Sequence, residues 1–239
     1  AVRRCLACHR CVDGMRGGGR LHCLVNPMVG REVLFANGRP PVSTSGGEKI
    51  AVIGGGPAGL SYAALVAEGN EVTLFERGDR LGGSFRLAGL APKFQEVETR
   101  EGSFHAYIEA LEQACRDKGV ILRTGTDVTR DPALLDGFDR IVVATGAAYR
   151  YGLGAAVPAL LRAGAGKWPG LARLMTRPGI RDWFYHRARY ATGSRFPARP
   201  GQTVEVIGDA RRAGKAIPAL QSAFAAALLG DPAALDERA

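Results

Sequence analysis

The chain has 239 residues, enough for one sizeable core or two small ones, and 46% of them are hydrophobic, as in an ordinary globular protein. No apolar run reaches about 18 residues, so no membrane span is expected, and the start AVRRC has no apolar signal-peptide core, which points to a cytoplasmic protein. Thirty-two Lys and Arg against 23 Asp and Glu give a formal charge of +9; the excess is almost all Arg, reads as a compositional habit, and no nucleic-acid motif accompanies it.

In chain order, residues 1–47 are rich in Cys, Gly and Arg, have little periodicity, and read as loop and linker wrapped around something. The pattern changes at KIAVIGG, a short continuous apolar run that predicts a buried parallel strand. PAGLSYAALVAEG predicts a helix ending at Gly69, and NEVTLFE a second strand, which together make one β-α-β unit. A loop, DRLGGSFRLAGLAPKF, precedes a helix over about 102–118 that stops at Gly119. GVILRTGTDVT supplies more strand, and FDRIVVATG another buried strand ending in a glycine turn. Residues 151–201 form a basic, aromatic insert with Pro and Gly breaks; 202–230 then read as strand, turn and a long Ala-rich helix. The fold class expected is α/β: a Rossmann-like domain, built from 48–150 and 202–239, behind a cysteine-rich loop segment.

Four of the five cysteines fall within the first 23 residues, as Cys5-x2-Cys8-x2-Cys11-x11-Cys23. Three thiolates two residues apart can converge on one cluster from a tight loop, and a distant fourth closes it. Zinc is the competitor, but structural zinc more often uses two separated pairs, and no second C-x2-C pair exists here. His9 and His22 are the nearest additional zinc donors. Cys115 sits mid-helix on an apolar face and reads as a buried, inert thiol.

Gly54-Gly55-Gly56-Pro57-Ala58-Gly59 satisfies G-x-G-x-x-G between a predicted strand and a predicted helix, and Glu76 ends the next strand twenty residues after Gly56. Gly54 suits the tight turn, Gly56 lets backbone approach a pyrophosphate, and Gly59 permits close helix–strand packing. Glu76 is placed to accept hydrogen bonds from the adenosine ribose, and the helix start offers N–H groups to the phosphates. The fingerprint by itself does not separate FAD from NAD. Asp209, after the strand TVEVIGD, reads either as an acceptor for flavin ribityl hydroxyls or as a helix N-cap.

RRCLACHRCVDG, CLVNPMVGRE, KIAVIGGGPAGLSYAALVAEGNEVTLFE, LGG and IVVATGA together resemble the C-terminal half of the iron–sulfur flavoenzymes related to old yellow enzyme, which include 2,4-dienoyl-CoA reductase and trimethylamine dehydrogenase. The resemblance covers residues 1 to about 150 and resumes over about 203–230. It implies that Cys5, Cys8, Cys11 and Cys23 ligate a [4Fe-4S] cluster. It implies that Gly54, Gly56, Pro57, Ala58, Gly59, Glu76 and Arg77 hold the adenine dinucleotide, with Gly83, Thr145, Gly146, Gly208 and Asp209 lining the rest. FAD is the expected ligand, with ADP as the variant.

The family's flavin-bearing barrel has no counterpart ahead of Cys5, so the chain is expected to be a fragment or a separate subunit that works with a barrel-type partner. The 60 or so residues between Gly146 and Gly208 are about half of what a nicotinamide-binding Rossmann domain requires. Gly152 and Gly154 offer a candidate for a second fingerprint there. In the insert, Trp183, Phe184, Tyr185, Tyr190 and the arginines suit either a docking surface or a cap over the crevice. The expected role is an electron-transfer component with no substrate acid or base of its own. A structural module holding ADP or an empty crevice, and a stand-alone NAD(P)H reductase, are the rival readings.

Overall fold

The structure, a computed structural model, describes residues 4–33, 42–88, 101–149, 177, 179, 189–193, 196 and 199–235. Its centre is a five-stranded parallel sheet in the order β3-β2-β1-β4-β7. The strands are β1 (Lys49–Ile53), β2 (Glu71–Phe75), β3 (Ile121–Arg123), β4 (Arg140–Val143) and β7 (Thr203–Val206). The insert is rooted in a separate two-stranded antiparallel ribbon, β5 (Ala147–Tyr149) with β6 (Arg189–Ala191).

Alternation along β1 sorts the core into two sides. Ile50 and Val52 face the helices, in one cluster with Leu60, Tyr62, Ile108, Leu111, Leu220 and Phe224. Ala51 and Ile53 face the other side, with Val128, Leu135, Phe138, Val204 and Val206. The helical side carries α2 (Pro57–Val66), α4 (Glu101–Asp117) and α5 (Ala216–Leu229), with α2 packed against both of the others. α2 is apolar all round because it lies between sheet and helices. A single-turn helix, α3 (Phe85–Ala88), sits ahead of α4.

Most expected elements are present, with shifted ends. α2 stops at Val66, three residues before Gly69, and the Asn70 side chain donates to the Val66 carbonyl at 2.7 Å. That side-chain capping bond competes with continuation of the helix. Gly69, at φ +86°, lies in the following turn. The segment read as loop in the first 47 residues contains a short helix, α1 (Arg10–Arg16). The second half of the loop before α4, and residues Gly152, Gly154, Trp183, Phe184 and Tyr185 of the insert, lie outside the described residues. Among the described residues no helix is long and apolar enough to cross a membrane.

The cysteine-rich segment is fastened to the main core. Leu6, Leu24 and Val25 are buried in the same cluster as the sheet and helices. Arg31 is buried and donates to the Leu235 carbonyl at 3.4 Å. Ser43 bonds the end of α5 twice, its amide donating to Ala227 O and its hydroxyl to Ala226 O, both at 2.8 Å.

At the amino end of the sheet, Arg140 pairs with Glu48 at 2.8 Å and reaches Glu205 at 3.8 Å. Glu205 in turn accepts from the buried Tyr62 hydroxyl at 3.5 Å. Burial pushes the Glu205 carboxyl up, and the Arg140 guanidinium opposes that shift. Glu48 precedes β1 and Arg140 begins β4, so this ion pair lies at the opposite strand ends from the glycine loop and supports the scaffold rather than the site.

Cys115 is fully buried on α4, donates its thiol to the Leu60 carbonyl at 3.3 Å, and is pushed up to about 12 by desolvation. A thiol in that state is protonated and shielded at pH 8. Under iodoacetamide at pH 8, the exposed Cys5 and Cys8 of the metal-free chain are expected to alkylate within minutes while Cys115 stays unmodified until unfolding; peptide mass spectrometry reads the order.

Candidate functional site

In a parallel sheet every carboxyl end opens on the same edge, and in open α/β sheets ligands bind there, where the strand order reverses. Here the reversal falls between β1 and β4. The loops that follow β1, β2, β4 and β7 carry the predicted residues: Gly54–Gly59, Glu76, Thr145–Gly146 and Gly208–Asp209. Residues up to 155 positions apart in sequence thus share one crevice (Gly54 to Asp209).

The glycines are where backbone must come close. Gly54 has φ +111°, and a methyl group there would collide with the Ala144 carbonyl and lie 3.1 Å from Thr145 Cα. A methyl on Gly59 would collide with the Gly54 carbonyl and lie 3.2 Å from Ala144 Cβ. Gly56 differs: its φ is −75°, and a methyl there meets nothing within 4 Å. It borders open space, which is where a phosphate group would lie.

Gly56 is the N-cap of α2, Pro57 opens the helix, and no acidic residue occupies the first turn. The first intrahelical acceptor, Gly56 O, goes to Leu60 N at 3.0 Å. The amides of Ala58 and Gly59 therefore have no intrahelical acceptor and point out of the positive end of the helix. An anion fits that position.

Glu76 stands at the end of β2 with both carboxylate oxygens engaged: Oε2 accepts from Gly55 N and Oε1 from Gly78 N, each at 2.8 Å. Each oxygen retains acceptor capacity for a ligand hydroxyl. The bond to Gly55 ties the acidic residue to the glycine loop. Arg77 is exposed next to it.

Gly83 lies beside the loop; a methyl on it would be 3.7 Å from Gly56 Cα. Its chain is held there by Gly82 N donating to Gly55 O at 2.7 Å and by the buried Leu81, which fills the space beneath Gly55. Gly208 has φ +62°, and a methyl on it would lie 3.0 Å from Ala58 Cβ, so β7 ends against the first turn of α2. Its amide donates to Ser222 Oγ at 3.2 Å.

Asp209 sits in a short 3-10 turn, Gly208–Ala210. The N-cap reading of Asp209 is corrected, because the long helix α5 begins only at Ala216, with Lys215 as its cap. Five residues, Arg211 to Lys215, separate the turn from the helix. Sequence reading also missed Leu81 and Thr192; the signal for Thr192 was available, since Ala144-Thr145-Gly146 recurs as Ala191-Thr192-Gly193.

The cysteine segment has donors of the right kind. Cys5, Cys8, Cys11 and Cys23 are all free thiols, with Cys5 and Cys8 exposed. Ala7 and His9, at φ +51° and +56°, are the only non-glycine residues with positive φ among the described residues, and both lie inside the C-x2-C-x2-C loop. Such left-handed residues curl the loop and cluster at functional sites. The Ala7 amide donates to Cys5 Sγ at 3.3 Å. Two glycines seat the segment that carries Cys23: a methyl on Gly14 would lie 2.7 Å from Arg20 O, and one on Gly30 would press on Leu21 O. The donor set fits thiolate ligation of a cluster, but among the described residues no three His, Cys, Asp or Glu side chains gather into a metal-holding group.

The fold and the crevice define a Rossmann-like dinucleotide-binding domain, and the NAD(P)-binding Rossmann-like domain family matches residues 52–97. The chain is 37% identical over 152 residues to a metal reductase of Desulforamulus reducens, covering 61% of this chain and 21% of that protein. It is 32% identical over 150 residues to an NADH oxidase of Thermoanaerobacter brockii, again covering 61% of this chain and 21% of the relative. Among solved structures, the 6-hydroxypseudooxynicotine amine oxidase of Pseudomonas geniculata N1 is similar at 26% identity and TM-score 0.51, over 62% of this chain and 22% of that one. The chain therefore spans about a fifth of the length of the relatives it matches, all of them oxidoreductases by name.

Gly56 and Gly59 separate ligand binding from folding. Gly56→Ala has room and an ordinary φ, so its stability is expected to change by no more than about 0.5 kcal/mol. Its dinucleotide affinity is expected to fall at least about tenfold, because the methyl enters the phosphate space. Gly59→Ala is expected to lower the melting temperature itself, through the clash with Gly54. Thermal melts and FAD titrations of both variants read the two effects separately.

Proposed function

We propose that this chain is the cluster- and FAD-binding portion of an oxidoreductase, carrying electrons between FAD in its crevice and a flavin on a barrel-type partner subunit or domain. The observation that carries the reading is the joining of one open, backbone-lined crevice and four free thiols on a segment anchored in the same core. The names of the relatives, a metal reductase, an NADH oxidase and an amine oxidase, support redox chemistry of this kind.

In this reading the Ala58 and Gly59 amides take the pyrophosphate and Glu76 accepts from the adenosine ribose hydroxyls. The Glu76 carboxylate also disfavours a 2′-phosphate by charge repulsion. Gly83, Thr145, Gly146, Gly208 and Asp209 line the path beyond. Cys5, Cys8, Cys11 and Cys23 would hold a four-iron cluster, with the Ala7 amide stabilising the Cys5 thiolate. Bound FAD exchanges electron pairs and a bound cluster single electrons, while the protein sets position and environment. In this reading substrate chemistry falls to the partner.

Anaerobic purification of the full chain tests the reading. Flavin absorbance bands should appear over a broad cluster absorption, with iron and acid-labile sulfide in near-equal amounts. Cys8→Ser should lose the iron, whereas Cys115→Ser should keep it. Stoichiometric zinc without sulfide would remove the cluster from the proposal, and a crevice that retains and binds neither FAD nor ADP would remove the dinucleotide.

Excess NADH in a nitrogen-flushed stopped-flow cell gives a second test. The insert is about half the length a nicotinamide-binding domain requires, so the flavin band is expected to persist until a barrel partner is added. Rapid bleaching by NADH without the partner would favour the stand-alone reductase.

A further inference from the structure

The chain leaves the sheet region at Tyr149 and returns at Arg189, two residues that face each other across the β5–β6 ribbon. The first residues after that return touch both walls of the crevice. Thr192 is buried, although Ala191 before it is exposed. Its hydroxyl donates to the Gly146 carbonyl at 2.8 Å and lies 2.6 Å from Thr145 Oγ1. A hydroxyl has one proton to give. With that proton on Gly146, Thr192 must accept from Thr145, and the Thr145 hydroxyl is oriented in turn.

This matters because the Thr145 backbone has no slack. Thr145 Cα and the Ala144 carbonyl lie directly against Gly54, the first glycine of the fingerprint. A change in the height of the Thr145–Gly146 turn is therefore felt by the glycine loop. On the other wall, Gly193 packs where a methyl would collide with Val206 and lie 3.0 Å from the Ala210 carbonyl. Val206 ends β7, and Ala210 belongs to the turn that carries Asp209. Thr192-Gly193 is thus wedged between the end of β4 and the end of β7.

We propose that Thr192 is a positioning residue of the dinucleotide crevice, whose hydroxyl sets the Thr145–Gly146 turn against the glycine loop. The proposal rests on the reading of this crevice as a dinucleotide site. It assigns to the second Ala-Thr-Gly, at the root of the insert, a function in binding that the fingerprint does not carry. It also ties the root of the insert mechanically to the ligand.

The test uses the full chain, stripped of flavin, as parent, Thr192→Val, Thr192→Ala and Thr192→Ser. FAD is titrated against each and read by flavin fluorescence, with ADP as a second probe and a ligand-free melt as the folding control. Thr192→Val and Thr192→Ala are expected to weaken FAD alike, by about tenfold, which corresponds to the roughly 1.4 kcal/mol of one buried hydrogen bond. Thr192→Ser keeps the hydroxyl and should bind within about twofold of the parent. Parent-like affinity in the Ala or Val variant overturns the proposal. So does a Ser variant as weak as Ala, which would make the methyl rather than the hydroxyl the active part. A parent that binds neither FAD nor ADP overturns this proposal and the functional reading together.

Discussion

The contact between Gly54 and the Ala144 carbonyl is the constraint on which the site depends. It joins the end of β1 to the end of β4 without room for any side chain, at the point where the strand order reverses. Gly59 then packs against the Gly54 carbonyl, which fixes the start of α2 over the same spot. Because that helix start is seated by backbone contact, its free amides face a defined volume rather than a mobile one. The bare Gly56, the Glu76 carboxylate and the Gly208 turn are arranged around that volume.

The cysteine segment follows a different logic. It has few regular elements, and its position comes from Leu6, Leu24, Val25 and Arg31 held in a core built by other parts of the chain. Its own geometry comes from the left-handed Ala7 and His9 and from the close backbone approaches at Gly14 and Gly30. A segment of this kind is anchored at its apolar residues, and metal sites commonly couple ligation to local folding. The linker at Ser43 ties it to the far end of α5, while the middle of that helix, through Ser222, supports Gly208. One helix thus braces both regions.

The insert is tied to the scaffold through a two-stranded ribbon whose paired ends meet at the crevice. Such a root tolerates inserts of different length, since only the paired residues must match. The Thr145–Thr192 contact makes the root part of the site.

The glycine fingerprint, its flanking strand and helix, and Glu76 were legible in the sequence because each rests on a local requirement. A tight turn needs Gly54, a close helix needs Gly59, and a buried parallel strand needs a continuous apolar run. Cys115 was legible as inert for the same reason, since helical spacing alone put it on the apolar face of α4. The end of α2 was misplaced because side-chain capping by Asn70 competes with helix propagation there, and the N-cap alternative for Asp209 failed because an irregular turn follows Gly208. Tertiary structure alone decided the rest. Leu81 beneath Gly55, Glu205 between Tyr62 and Arg140, and Thr192 on Gly146 act through partners 26 to 143 residues away or through space that opens only once the sheet has formed. Local pattern encodes which backbone a segment prefers; it does not encode which distant side chain will fill the gap beside it, because that gap is made by the packing of both.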